Sequence, residues 1–202
     1  MVIGVTGGVG AGKSTVLGIL KDEYGAVLIM ADDVARYLME PGGASYAAVV
    51  SEFGSGILQD PEKEDSPVNR KALAAIVFSD PEKLKILNSL THPAVRSEIK
   101  NIIKNEYVKN PDAIIVVEAA LLIEAGYEDM LDCLCVVTAE REVRIARLEA
   151  SRGYSRERSE NVIASQLSDK EFAEHADLII DNSGDIESTA GQIREIMFRF
   201  IN

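Results

Sequence analysis

Between the apolar run Val2–Thr6 and a helical stretch that starts at Lys13, the chain places Gly7-Gly8-Val9-Gly10-Ala11-Gly12-Lys13-Ser14. No other segment narrows the possible folds as far. It fits G-x4-G-K-[ST] with a strand before it and a helix after it, the context that gives the pattern its mechanism. Glycines let the backbone curl until its N–H groups face an anion, and the helix N-terminus adds partial positive charge. The lysine then reaches the β and γ phosphates of a nucleotide, and the serine hydroxyl ligates Mg²⁺. Gly8, Gly10, Ala11, Gly12, Lys13, Ser14 and Thr15 are therefore candidate ATP-binding residues, with Lys13 also catalytic and Ser14 the metal ligand.

Four further short apolar runs, Ala26–Met30, Ala113–Glu118, Leu131–Thr138 and Asp177–Asp181, are each too short for a helix and are bounded by polar residues or glycine. With Val2–Thr6 they predict five strands buried on both faces. Helical stretches at Lys13–Asp22, Arg141–Ala150 and Ile186–Ile201 alternate with them, which implies a parallel sheet covered on both sides. The expected architecture is α/β: a three-layer P-loop fold with a five-stranded parallel sheet. The interval from Asp33 to Pro111 contains no strand pattern and reads as helices. Pro41-Gly42-Gly43 ends one, Asp80-Pro81 caps the next, and His92-Pro93 is expected to start another bearing Val95, Ile99, Ile102 and Ile103. The Gly, Asp, Glu and Pro rich stretch Gly54–Pro67 reads as a loop. The expected division of this one domain is a core of residues 1–32, 111–139 and 176–202, a helical substrate-binding region 33–110 and a lid 140–175.

A formal charge of −12 excludes a broad nucleic-acid surface, because backbone-phosphate affinity comes from many Lys and Arg side chains. No apolar run of about eighteen residues exists to cross a membrane, and the opening MVIGVTGG has no basic leader region, so the expected location is the cytoplasm. Cys133 and Cys135 are expected to be a reduced, buried pair on one strand face.

Asp32 follows directly on the second expected strand, and ligands of open α/β sheets lie outside the carboxyl ends of strands. Its carboxylate either accepts the proton of an attacking hydroxyl or helps hold Mg²⁺; alternatively Asp32 or Asp33 caps a helix beginning near Val34. Arg141, Arg144, Arg147, Arg152, Arg156 and Arg158 crowd one segment of an otherwise acidic chain. Arg141, Arg144 and Arg147 recur every three residues and are expected to share one face of a hinged helix pair that closes over ATP. The alternative is a solvated face paired with Glu140, Glu142, Glu149, Glu157 and Glu160. His92 and His175 have no partners at metal spacing and are first read as structural. Asp181-Asn182-Ser183-Gly184 matches D-x-x-G, but it follows the last strand and no N-K-x-D sequence exists, which excludes a GTPase.

In order along the chain, Gly4–Thr15, Ala31-Asp32-Asp33-Val34-Ala35-Arg36 with Glu40-Pro41-Gly42, Leu90-Thr91-His92-Pro93, Ala120-Leu121-Leu122-Ile123-Glu124, Gln166 and Ala176–Gly184 resemble the motifs of the dephospho-CoA kinase family. The resemblance implies transfer of the ATP γ-phosphate to the ribose 3′-hydroxyl of dephospho-CoA, with Mg²⁺ and with no obligate protein, nucleic-acid or membrane partner. It implies that Asp32 is the catalytic carboxylate, that Arg36 and His92 sit by the acceptor with Asp32, that Arg147 is a catalytic lid arginine facing the phosphates, and that Arg144 and Asn182 bind ATP. The chain departs from the family pattern at Met30, where an aspartate is usual, at Ala120 in place of proline, and at Arg152-Gly153, where R-D-G is common. Two rivals share part of the pattern. Another small P-loop nucleoside or nucleotide kinase is separated by a panel of acceptors. An ATP-dependent switch is separated by whether ATP turnover depends on a small-molecule acceptor or on a protein.

Overall fold

A computed structural model of the chain describes residues 1–63, 65–119, 122–123 and 126–201. The elements run β1 (Val2–Thr6), α1 (Lys13–Tyr24), β2 (Val27–Met30), α2 (Ala31–Leu38), α3 (Tyr46–Phe53), α4 (Arg70–Ser79), α5 (Pro81–Lys109), β3 (Ile115–Glu118), β4 (Cys133–Thr138), α6 (Arg141–Arg152), α7 (Arg156–Ala164), α8 (Asp169–His175), β5 (Leu178–Asp181) and α9 (Ile186–Ile201). They form two compact units, one of Met1–Ile29 with Tyr107–Asn202 and one of Met30–Glu106.

The first unit is built on the sheet, in the order β2-β3-β1-β4-β5. β1 pairs in parallel with both β3 and β4, bringing Val5 beside Glu118 and Thr6 beside Val136, and β4 pairs in parallel with β5. β1, β3 and β4 are buried nearly throughout, as apolar runs covered on two faces should be. The edge strands differ from that expectation: Ile179 of β5 is 49% exposed, and β2 is only half-buried. A carboxylate closes the entry end of two strands, Asp132 accepting from Val2 N at 2.7 Å and Asp177 from Leu134 N at 2.8 Å. Val2 lies one residue ahead of the β1–β4 pairing and Leu134 one ahead of the β4–β5 pairing, and on that side a side-chain acceptor replaces the missing strand partner. α1 packs on α9, and α9 also packs on β5. Cys133 and Cys135 are buried free thiols two residues apart on β4, as expected. Burial pushes them up to about 11 and about 12, so neither is a thiolate at neutral pH. The six arginines lie on two helices, α6 and α7, the pair that was expected, and a further helix without arginine, α8, follows them because Ser168 starts it with a capping box to Glu171.

The second unit is helical, with a core of Tyr46, Val49, Ile57, Leu58, Val68, Leu73 and Val77. The stretch expected to be plain loop carries a short 3-10 turn, Ser55–Ile57, and one antiparallel bridge, Leu58 to Val68, because Ile57, Leu58 and Val68 are apolar and bury there. Asp80 caps α5 by accepting from Glu82 N at 3.0 Å. His92-Pro93 does not start a helix: Pro93 lies inside the 29 residues of α5. An internal proline costs roughly 3 kcal/mol, but Thr91, Val95 and Ile99 make one buried stripe across it, so the helix continues.

Among the described residues, no helix is long and apolar enough to cross a membrane.

Candidate active site

The glycine loop leaves β1 at Thr6, whose hydroxyl donates to Ala119 O at 3.0 Å, and enters α1 through Gly12. Gly7, Gly10 and Gly12 have φ of 141°, 77° and 86°, values that a side chain opposes. At Gly7 a Cβ would also strike the Val137 carbonyl oxygen on β4.

The loop carbonyls are occupied in an ordered way. Val9 O accepts from Arg144 Nε at 2.9 Å, and Ala11 O accepts from Asn182 Nδ2 at 2.8 Å and Arg147 Nη1 at 3.1 Å. Gly12 O accepts from Thr15 N at 3.0 Å and Asn182 Nδ2 at 3.4 Å. In a planar trans peptide the N–H points opposite to the C=O, and among the described residues there is no cis bond. Holding these three carbonyls turns the N–H groups of Gly10, Gly12 and Lys13 the other way, into the concave side of the loop. Three N–H groups directed to one side at the start of α1, whose first turn carries no acidic residue, have the arrangement of an anion nest.

Lys13 Nζ donates to Gly7 O at 2.9 Å and lies 3.9 Å from Glu118 Oε1. Glu118 is buried at the end of β3 and was missed as a site residue in the sequence, although a carboxylate closing the run Ile115-Val116-Val117 was a usable signal. Ser14 is exposed in the first turn of α1. Its hydroxyl and the Glu118 carboxylate are hard oxygen donors, which suits Mg²⁺: that ion keeps several waters and takes few protein ligands. Among the described residues no group of three or more His, Cys, Asp or Glu forms a larger cage.

The arginines do not share one face. Three residues advance a helix by about 300°, so Arg141 and Arg147 point about 120° apart. Arg144, 4% exposed, and Arg147 turn to the loop, and Arg147 Nη2 also donates to Asn182 O at 2.8 Å. Arg141 and Arg156 instead pair with Glu160, and Arg156 with Glu142, while Arg152 and Arg158 flank the Tyr154 ring. Burial works against the charge of Arg144, and Asp169, 3.1 Å from its Nη1, supports it. Asn182 is 2% exposed and is oriented by Thr189, whose hydroxyl donates to its Oδ1 at 2.8 Å. Residues of β1, α1, β3, α6 and the turn after β5 thus meet at one loop.

Asp32, Arg36 and His92 belong to the second unit. α2 starts at Ala31, ahead of the expected Val34, and Met30 stands at its N-cap with no side-chain capping bond. Neither Asp32 nor Asp33 is therefore a cap. Both lie in the first turn, where a carboxylate is favoured by the helix dipole. Asp33 pairs with Arg36 at 2.9 Å, which leaves Asp32 the other carboxylate of that turn. Burial lowers the His92 imidazole below its usual range. Of the sequence Ala120–Glu124, Ala120, Leu121 and Glu124 lie outside the described residues; Leu122 is buried.

The family model for dephospho-CoA kinase matches residues 1–188. The dephospho-CoA kinase of Moorella thermoacetica is 39% identical over 96% of this chain and 89% of its own length. That of Carboxydothermus hydrogenoformans is 42% identical over 97% and 92%. The solved structure of dephospho-CoA kinase from Campylobacter jejuni superimposes with a TM-score of 0.69 at 26% identity, covering 98% of this chain and 96% of that one.

Proposed function

The chain belongs to the dephospho-CoA kinase family, and from that membership we propose how its residues divide the transfer of the ATP γ-phosphate to the ribose 3′-hydroxyl of dephospho-CoA. The observation that carries the reading is the loop whose carbonyls are held outward by Arg144, Arg147 and Asn182, leaving N–H groups to receive the β and γ phosphates. Gly8 to Thr15 bind ATP, and Lys13 follows the charge that moves onto the β–γ bridge as the bond breaks. Arg144 and Arg147 add two positive charges on the outer side of the loop, where they favour the triphosphate and its transition state. Arg147 carries more of this as the γ-phosphoryl departs.

Asp32 takes the proton of the 3′-hydroxyl as its oxygen bonds to the γ-phosphorus, and ADP leaves with the electrons of the broken P–O bond. In support, Asp32 lies in the first turn of the helix that follows directly on β2, and Asp33 is already paired. Arg36 and His92 are assigned to the acceptor with it. Mg²⁺, when bound, would supply neutralisation of the phosphate charge, and Ser14 and Glu118 are the residues that would hold it. The reading takes two small-molecule substrates, with no nucleic acid, membrane or obligate protein partner, and a cytoplasmic location.

Coupled ADP release tests it. Dephospho-CoA should be phosphorylated well ahead of AMP, dTMP and nucleosides, and ATP turnover that ignores dephospho-CoA would overturn the assignment.

A further inference from the structure

Val9 is gripped on both of its backbone polar groups. Its N–H donates to Gln166 Oε1 at 2.7 Å and its carbonyl accepts from Arg144 Nε at 2.9 Å. Gln166 is half-buried in the connector between α7 and α8, and Asp169, at the start of α8, accepts from Arg144 Nη1 at 3.1 Å. The Arg144 Nη2 is buried beside Gly8 with no hydrogen-bond partner, so the guanidinium is wedged between Asp169 and the loop.

This grip matters because Val9 stands between two glycines, and Gly8-Val9-Gly10 has little stiffness of its own. Fixing Val9 O outward fixes Gly10 N–H inward. Fixing Val9 N–H toward Gln166 turns the Gly8 carbonyl the opposite way, where it accepts from Ala11 N at 3.2 Å and closes the turn. Arg144, Arg147 and Asn182 donate to the loop's carbonyls, whereas Gln166 accepts from a loop N–H. A neutral amide oxygen is the right acceptor there, since a carboxylate would set negative charge beside a triphosphate.

We propose that Gln166 is a positioning residue for phosphoryl transfer: acting through Val9, it fixes the loop's phosphate-facing N–H groups and ties the α7–α8 connector to them. The inference rests on the loop being the ATP site and names a residue through which the segment after β4 controls it.

The test compares Gln166→Met, which keeps length and loses the acceptor, with the unaltered full chain. Hydrogen exchange of the Val9 amide should accelerate in the ligand-free variant while strand amides stay protected. The KM for ATP should rise about tenfold, the loss of one partly buried hydrogen bond, with the KM for dephospho-CoA within about twofold. Gln166→Glu, which keeps an acceptor, should keep Val9 protected and still bind ATP more weakly, an effect that salt reduces. A protected Val9 amide in Gln166→Met, an unchanged ATP KM, or an equal rise in both KM values overturns the proposal. ATP affinity of Lys13→Ala is read alongside: if it is undiminished, the loop is not the ATP site, whatever Gln166 does.

Discussion

Glu118 Oε1 stands 3.9 Å from Lys13 Nζ, so the carboxylate that ends β3 faces the ammonium that opens α1. Replacing Lys13 by Ala should lower kcat at least about 100-fold with circular dichroism unchanged, because the charge that follows the β–γ bridge is removed and no core packing is lost. Glu118→Gln should raise the Mg²⁺ concentration for half-maximal activity about tenfold. A Mg²⁺ titration that matches the unaltered enzyme would remove Glu118 from the metal site.

Gly7 and Gly8 are adjacent, yet their alanine variants should differ. At Gly7 the new Cβ meets a β4 carbonyl that cannot move, at a φ of 141°; at Gly8 it meets a side-chain nitrogen of Arg144. Chemical denaturation should show a loss of about 2–4 kcal/mol for Gly7→Ala and about 1–2 for Gly8→Ala. Equal losses would mean that Arg144 is as immobile as the strand.

Asp32→Asn keeps shape and removes basicity. A drop of about 100-fold in kcat is expected, toward the low end for a general base because a loose transition state asks little of one. Asp33→Asn, which breaks only the exposed pair with Arg36, should keep nearly full kcat. Two near-normal enzymes would exclude Asp32 as the base.

Arg147→Lys retains charge but loses the fork that spans Ala11 O and Asn182 O, so the KM for ATP should rise several-fold. Arg141→Ala, on an exposed pair with Glu160, should leave kinetics and stability unchanged. Equal effects at both positions would return the arginines to a general electrostatic role.

The cysteines give a pH dependence of known sign. Folding raises Cys133 to about 11 and Cys135 to about 12 from 9.0, so the neutral thiol is favoured in the fold. Their contribution to stability is complete below pH 9 and is lost as pH rises through 11 to 12. Denaturation midpoints should fall across that interval, and less so in Cys135→Ala; equal slopes would refute the assignment.

What was legible in the sequence follows from how locally each feature is encoded. The loop, the five strands and the capping of α5 by Asp80 depend on neighbours in sequence and were read within a residue or two. The helix break at His92-Pro93 was misread because local proline chemistry was overridden by a stripe, Thr91, Val95 and Ile99, whose value depends on burial. The shared face of Arg141, Arg144 and Arg147 failed on helix geometry alone. Glu118 and Gln166 went unassigned because their partners, Lys13 and Val9, are more than a hundred residues away, and no spacing rule reaches that far.

That distance also orders the birth of the enzyme. β1 is the central strand of the sheet and precedes both of its neighbours, β3 and β4, in the chain, so both are still unmade when it leaves the ribosome. The loop behind it waits longer, since the amide that holds Ala11 O comes from Asn182, 171 residues later. A nascent chain therefore displays its complete phosphate-binding sequence long before it gains the geometry to use it, which waits until Asn182 has been made.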